Sequence, residues 1–273
     1  MQHDPIEARL PKSITHDHLR EFGIRLGDKG THTSRTIMLP ELARALEECP
    51  IQAARERYAE AILARNCLGK RTAATRKLSL QRLRELYGLD PAIPLFRLLR
   101  LLWQAERSGR PLLALLTALA RDPLLRSTAE VISRMQEGEE LARQQLTDAI
   151  AGSVHGRLSS STVDKVVRNA AASWTQSGHL RGRGRKVRQQ VQPTPAVTAF
   201  ALLLAHATGT RGMGFFHSFW AQILDSPPES LVQQAIDARR LGLLDVTQSG
   251  GVVEVSFARL LTPKERQLLN GTH

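Results

Sequence analysis

Cys49 and Cys67 are the only cysteines among 273 residues, and their spacing matches no Cys-x-x-Cys pattern. That excludes a disulfide framework and a cysteine zinc site, and it fits a reducing, cytoplasmic setting. Aromatic residues make up 4% of the chain, which leaves few platforms on which unpaired bases stack. No apolar run reaches the ~20 residues that a spanning helix requires. The longest uncharged apolar stretch, 196–210, contains His206 and reads as a buried core helix. The N-terminal residues lack a basic run followed by an apolar one, so no signal peptide is expected. Phosphate loops are missing as well. Gly69-Lys70-Arg71 has no earlier glycine, and the glycines from Gly209 to Gly214 are wrongly spaced and follow a helix. No Ser, Cys or carboxylate pair stands out as a nucleophile or acid–base dyad. His16, Asp17 and His18 have no distant partner motif that completes a metal site. The expectation is a protein that is not an enzyme and carries no cofactor.

What the chain has in excess is positive charge. Lys and Arg number 38 against 26 Asp and Glu, a formal charge of +12. That balance points to a polyanion, with nucleic acid ahead of an anionic membrane surface. Hydrophobic residues make up 42%, enough for real cores, and the length suits two or three small domains.

The pattern along the chain is mainly α. Residues 1–33, interrupted by Gly23, Gly27 and Gly30, read as an irregular arm with one short helix. Residues 34–150 read as an all-helical domain. Ser34 precedes a helix through Ile37, Met38, Leu42, Ala45 and Leu46 that ends before Pro50. Tyr58, Ala61 and Ile62 mark the next. After Gly69, Thr72 is positioned to cap a helix whose stripe is Leu80, Leu83, Leu86 and Tyr87. This pair has helix-turn-helix character. Three further segments follow at 93–102, 112–120 and 124–135.

Residues 151–225 change character. Ser159 to Thr162 offer caps, and Val163, Val166, Val167, Ala170, Ala171 and Trp174 form one apolar helix face. Gly178 stops that helix, and a basic, glycine-rich ribbon from Arg181 to Arg188 follows. A capped helix, a glycine stop and a basic ribbon are the pattern of a winged-helix unit. Residues 226–273 repeat it, with a helix carrying Leu231, Val232, Ala235 and Ile236, a stop at Gly242, a strand from Leu243 and a Gly250-Gly251 hairpin turn. At an offset of 64 residues, Val167, Ala171, Gly178 and Leu180 fall on Leu231, Ala235, Gly242 and Leu244.

The candidate DNA-binding residues come from this layout. Ser161, Lys165, Arg168 and Asn169 occupy the outward face of the central helix, where base edges in the major groove are reached. Arg181, Arg183, Arg185, Lys186 and Arg188 lie on the ribbon, suited to phosphates or a narrow minor groove. Between Arg157 and Val191 there are eight basic residues and one acid, Asp164. The alternative for the ribbon is a solvated loop. A second cluster, Lys70, Arg71, Arg76 and Lys77, flanks a helix start that also favours phosphate. Its alternative is an exposed face laced with local salt bridges.

Residues 34–42 (Ser-Arg-Thr-Ile-Met-Leu-Pro-Glu-Leu), 66–77 (Asn-Cys-Leu-Gly-Lys-Arg-Thr-Ala-Ala-Thr-Arg-Lys), Thr162–Val167 and Ser177–Leu180 resemble the BrxA family of bacterial BREX phage-defence systems. The resemblance spans roughly residues 34–205. It implies a helical, non-enzymatic protein that binds double-stranded DNA beside other components of a defence complex. About 70 further residues, including the second hairpin, lie outside it. The expectation is therefore a sequence-tolerant duplex-binding accessory protein. The alternative is a protein–protein adaptor whose basic face meets an acidic partner, with RNA binding a third reading.

Overall fold

Leucine and alanine at three- and four-residue spacing fold most of this chain into helices that bury one face each. The computed structural model describes residues 4–7, 10–11, 14–27, 29–249 and 252–270. In the N-terminal half these are α1 (His16–Phe22), α2 (Leu39–Glu48), α3 (Arg55–Leu63), α4 (Ala73–Tyr87), α5 (Pro94–Ala105), α6 (Arg110–Arg121), α7 (Pro123–Arg126), α8 (Ala129–Arg134) and α9 (Arg143–Val154). The second half holds α10 (Ser160–Gln176), α11 (Pro195–Ala207), α12 (Phe219–Gln222), α13 (Pro228–Arg240) and α14 (Pro263–Asn270). Two antiparallel hairpins complete it: β1 (Leu180–Arg181) with β2 (Val187–Arg188), and β3 (Asp245–Ser249) with β4 (Val252–Ser256). No helix among the described residues is long and apolar enough to cross a membrane.

Local signals set several boundaries. The Thr72 side chain accepts from Thr75 N and caps α4, and the Ser159 side chain accepts from Thr162 N and caps α10. The uncharged run at 196–210 becomes α11, whose side chains are almost all buried. Other expectations need correction. The stretch 124–135 is two helices, because the chain breaks at Ser127-Thr128 between α7 and α8. The helix expected after Ser34 begins only at Leu39, because Ile37 N and Leu39 N donate to side chains of α10 instead of to a helical turn. The second hairpin starts at Asp245, and α14 was not expected although Thr262-Pro263-Lys264-Glu265 is a capping box: Glu265 N donates to Thr262 Oγ1 and Thr262 N to Glu265 Oε2. The expected Gly250-Gly251 turn lies outside the described residues.

The one short helix expected in residues 1–33 is α1. Leu19, Phe22 and Ile24 are buried, as are Thr31 and His32, so these residues belong to the core. Buried residues from all four expected segments, from Ile6 to Leu269, belong to one continuous cluster. The helical domain and the two hairpin-bearing units therefore do not keep separate cores.

One carboxylate ties this arrangement together. Asp122 Oδ1 accepts from Leu124 N and Leu125 N at the start of α7. Its Oδ2 accepts from Thr31 N (2.6 Å), His32 N (3.0 Å) and His32 Nδ1 (2.7 Å). Burial pushes this carboxyl upward, but the His32 ring and the backbone donors outweigh it and hold it below the ordinary aspartate value. Gly30 is required beside it, since a Cβ there would lie 1.9 Å from Asp122 Oδ1. The other edge of His32 continues the chain of contacts: Nε2 lies 2.8 Å from Ser173 Oγ on α10.

The order of elements recurs. From α8 the chain passes through an extended stretch, α9, α10 and the β1–β2 hairpin; from α11 it passes through a 3-10 segment (Gly212–His217), α12, α13 and the β3–β4 hairpin. The two long helices stop alike at the expected 64-residue offset. Gly178 (φ 94) donates to Thr175 O, and Gly242 (φ 74) donates to Arg239 O.

Replacing Asp122 by Ala leaves five donors, the buried His32 imidazole among them, without their acceptor. The expected loss is about 3–5 kcal/mol of unfolding free energy, read by urea titration. A loss below about 1 kcal/mol would remove this carboxylate from its central place.

Candidate nucleic-acid interface

The geometry of α10 defines the site. Val163, Val166, Val167, Ala170 and Trp174 are buried and fix the inner face of the helix. At about 100° per residue, Ser161, Lys165, Arg168 and Ala172 then share one outward stripe. The first three are exposed and Ala172 is half-buried. No ion pair engages Lys165 or Arg168 among the described residues.

Both flanks of the stripe are covered. On one side Asn169, Ser173 and Gln176 meet the segment 30–39. Asn169 Nδ2 donates to His32 O (2.7 Å), Ile37 N donates to Ser173 Oγ (2.9 Å) and Leu39 N donates to Gln176 Oε1 (3.0 Å). On the other side Lys186 Nζ donates to Thr175 Oγ1 (2.8 Å), which docks the hairpin, and Arg143 of α9 pairs with Asp164 (3.0 Å).

The hairpin is a ribbon with a third partner. Leu180 pairs with Arg188 and Arg181 with Val187. Beyond β2, Gly138 N donates to Arg188 O, Arg188 N to Glu139 O and Leu141 N to Lys186 O, so residues 138–141 extend the sheet. Gly182 (φ +111) is needed at the turn, because a Cβ there would lie 2.0 Å from Arg185 O.

The expected site residues separate accordingly. Ser161, Lys165, Arg168, Arg181 and Arg183 are exposed on α10 and the hairpin. Asn169 does not read outward: its amide is spent on His32 O, in the covered flank. Arg188 is 4% exposed and is structural; it donates to Ile132 O and pairs with Asp225. Arg185 pairs with Glu140 (2.6 Å), and Lys186 is held by Thr175 and the Gly182 carbonyl. Burial lowers the Lys186 ammonium below its ordinary value.

In the earlier cluster Lys70 pairs with Glu41 (2.8 Å), and Arg76 donates to Leu63 O at the end of α3. Nearby, Arg57 pairs with Glu60 and Arg82 with Glu85. Arg71 and Lys77 are exposed.

A constellation that no sequence pattern marks is the line Asp122, His32, Ser173. It has the order of a hydrolytic triad, yet all three side chains are fully buried. Ser173 Oγ already accepts from Ile37 N and donates to Asn169 O. No carbonyl carbon has space to approach it, so the line acts as a fastener between the N-terminal segment and α10. Its members lie 51 to 141 residues apart in sequence, which is why local spacing does not reveal it.

No protein-family model matches this chain, and no curated protein matches it.

Two buried histidines set a pH limit. Burial brings His179, at the base of the hairpin, down to about 4, against the opposing pull of Asp225. Burial and then Arg211 bring His206 down to about 4. Both folded values lie below the ordinary 6.5, so the unfolded chain takes up protons that the folded chain refuses. Stability from this source is complete above pH 6.5 and declines as pH falls toward 4. The expected slope of unfolding free energy approaches about two protons in that window, and about one in a His206→Phe variant. A flat profile between those pH values would contradict the assignment.

Proposed function

We propose that this chain binds double-stranded DNA, with little dependence on base sequence, through a winged-helix unit at residues 129–188. The observation that carries the reading is one face on which α10 and the hairpin present Lys165, Arg168, Arg181 and Arg183 without an ion-pair partner among the described residues. Support comes from the element order: helix α8, strand-like 138–141, helix α9, reading helix α10, then a hairpin whose second strand pairs with 138–141. In that arrangement the third helix enters the major groove and the hairpin is the wing. No aromatic side chain lies on this face, which favours a duplex over unpaired strands.

The adaptor reading has its own observation, in the second unit. At the 64-residue offset, Lys165, Arg168, Arg181 and Arg183 correspond to Glu229, Val232, Asp245 and Thr247. A face that has exchanged its cations for acidic, apolar and neutral residues suits protein contact. We therefore assign duplex binding to the first unit and recruitment of other components to the second. The motif resemblance to the BrxA family makes a bacterial phage-defence complex the setting we propose.

The test is duplex binding across a salt series. With four cations displacing counterions from the duplex, two on phosphates and two in the groove, log K falls with log salt at a slope of roughly −3 to −4. Changing Arg181 and Arg183 to Ala flattens the slope by roughly two units and weakens binding on all sequences alike. A folded variant with unchanged affinity would defeat the wing assignment.

Lys165 and Arg168 sit on the rigid helix and reach base edges. If one duplex sequence is preferred, Arg168→Ala costs ~1–3 kcal/mol there and less elsewhere. An equal loss on every duplex would make Arg168 a phosphate contact.

A further inference from the structure

An α-helix about 10–12 Å across fills a major groove about 12 Å wide, so a helix lying in the groove has a phosphate strand along each flank. The β1–β2 hairpin stands beside one flank of α10. The opposite flank is occupied by the segment 30–39 through its bonds to Asn169, Ser173 and Gln176. Whatever this segment exposes there faces the second strand.

It exposes a cation. Arg35 is partly exposed, and its one recorded side-chain bond is to the neighbouring carbonyl, Ser34 O (3.0 Å). No ion pair engages it among the described residues. The backbone around it is held firmly. His32 is fastened to Asp122 and Ser173, Tyr87 Oη donates to Ile37 O, and Gln176 Nε2 donates to Thr36 Oγ1 (3.0 Å). A cation on so constrained a mount loses little freedom when it meets a phosphate.

We infer that Arg35 grips the phosphate backbone across the groove from the strand held by the hairpin, making the segment 33–36 the second rim of the duplex-binding face. This rests on the duplex reading above. The two rims are built differently. The hairpin is a glycine-bearing turn that adapts to the backbone, whereas the Arg35 rim is a fixed edge set by buried hydrogen bonds. Together they centre Lys165 and Arg168 between two phosphate rows.

The experiment compares the full chain with Arg35→Ala, Arg181→Ala, Arg35→Ala/Arg181→Ala and Arg266→Ala. Each is titrated with a 25-base-pair duplex from about 0.05 to 0.3 M salt, with thermal unfolding as the check on folding. Arg266 is an exposed arginine on α14, outside the proposed face, and serves as the control. The expected result is an affinity loss of about 5- to 10-fold at 0.1 M salt for Arg35→Ala, with the slope flatter by about 0.9. The double variant loses about twice that slope, and Arg266→Ala matches the parent. Duplex binding with parental affinity and slope in a folded Arg35→Ala variant overturns the second rim and leaves the duplex reading standing. Absence of salt-dependent duplex binding by the parent chain overturns both. If Arg35→Ala unfolds, Arg35→Lys decides: it keeps the charge, and retention of the parental slope supports a phosphate contact, whereas a slope flattened as for Arg181→Ala overturns it.

Discussion

The Asp122 carboxylate holds together parts of the chain that share no local pattern. Two of its donors start α7, two are backbone groups of the 31–32 turn, and one is the His32 ring. Placing an ionised group in the core is costly unless its lone pairs are answered, and here they are answered by five donors. The consequence reaches α10, because His32 carries the connection to Ser173 and its carbonyl accepts from Asn169. The orientation of the outward stripe therefore depends on a residue about 40 positions before the helix begins.

Much of the positive charge is spent internally. Arg100, Arg121, Arg126 and Arg188 are buried and donate to backbone carbonyls or paired carboxylates. Burial and then Arg25 bring the Arg121 guanidinium down to about 9, which shows how little solvent reaches it. Arg121 and Arg126 stitch the segment before α2 to α4, α6 and α7, Arg100 ties α5 to the end of α2, and Arg188 ties the first hairpin to α8. A net charge of +12 consequently overstates what a polyanion meets. Relevant charge is the part left without carboxylates, and on the first hairpin-bearing unit it includes the exposed Lys165, Arg168, Arg181 and Arg183.

Helix content, the caps at Thr72 and Ser159, the glycine stops and both hairpins were legible because each depends on residues within a few positions of one another. The inner face of α10 was legible for the same reason. Burial of Thr31 and His32 was not, since its cause is Asp122, some 90 residues onward. Arg188 and Asn169 were read as outward because a short polar stretch carries no sign of which side will be covered. Arg188 turns inward toward Asp225, 37 residues away, and Asn169 toward His32, 137 residues away. The charged residues near Lys70 were visible, but their partners Glu41 and Glu48 sit on a different helix.

The separation between His32 and Ser173 also bears on how this chain comes off the ribosome. At 141 residues, it means that the early helices emerge with Leu19, Phe22 and Ile37 lacking part of their cover. At ~5–20 residues per second, α10 arrives roughly 7–28 seconds later. Throughout that interval the N-terminal half presents apolar surface to the cell, with His32 Nε2 and Ile37 N lacking their Ser173 partner. The nascent chain is thus a natural client for chaperones, and a message truncated before α10 would yield an aggregation-prone fragment.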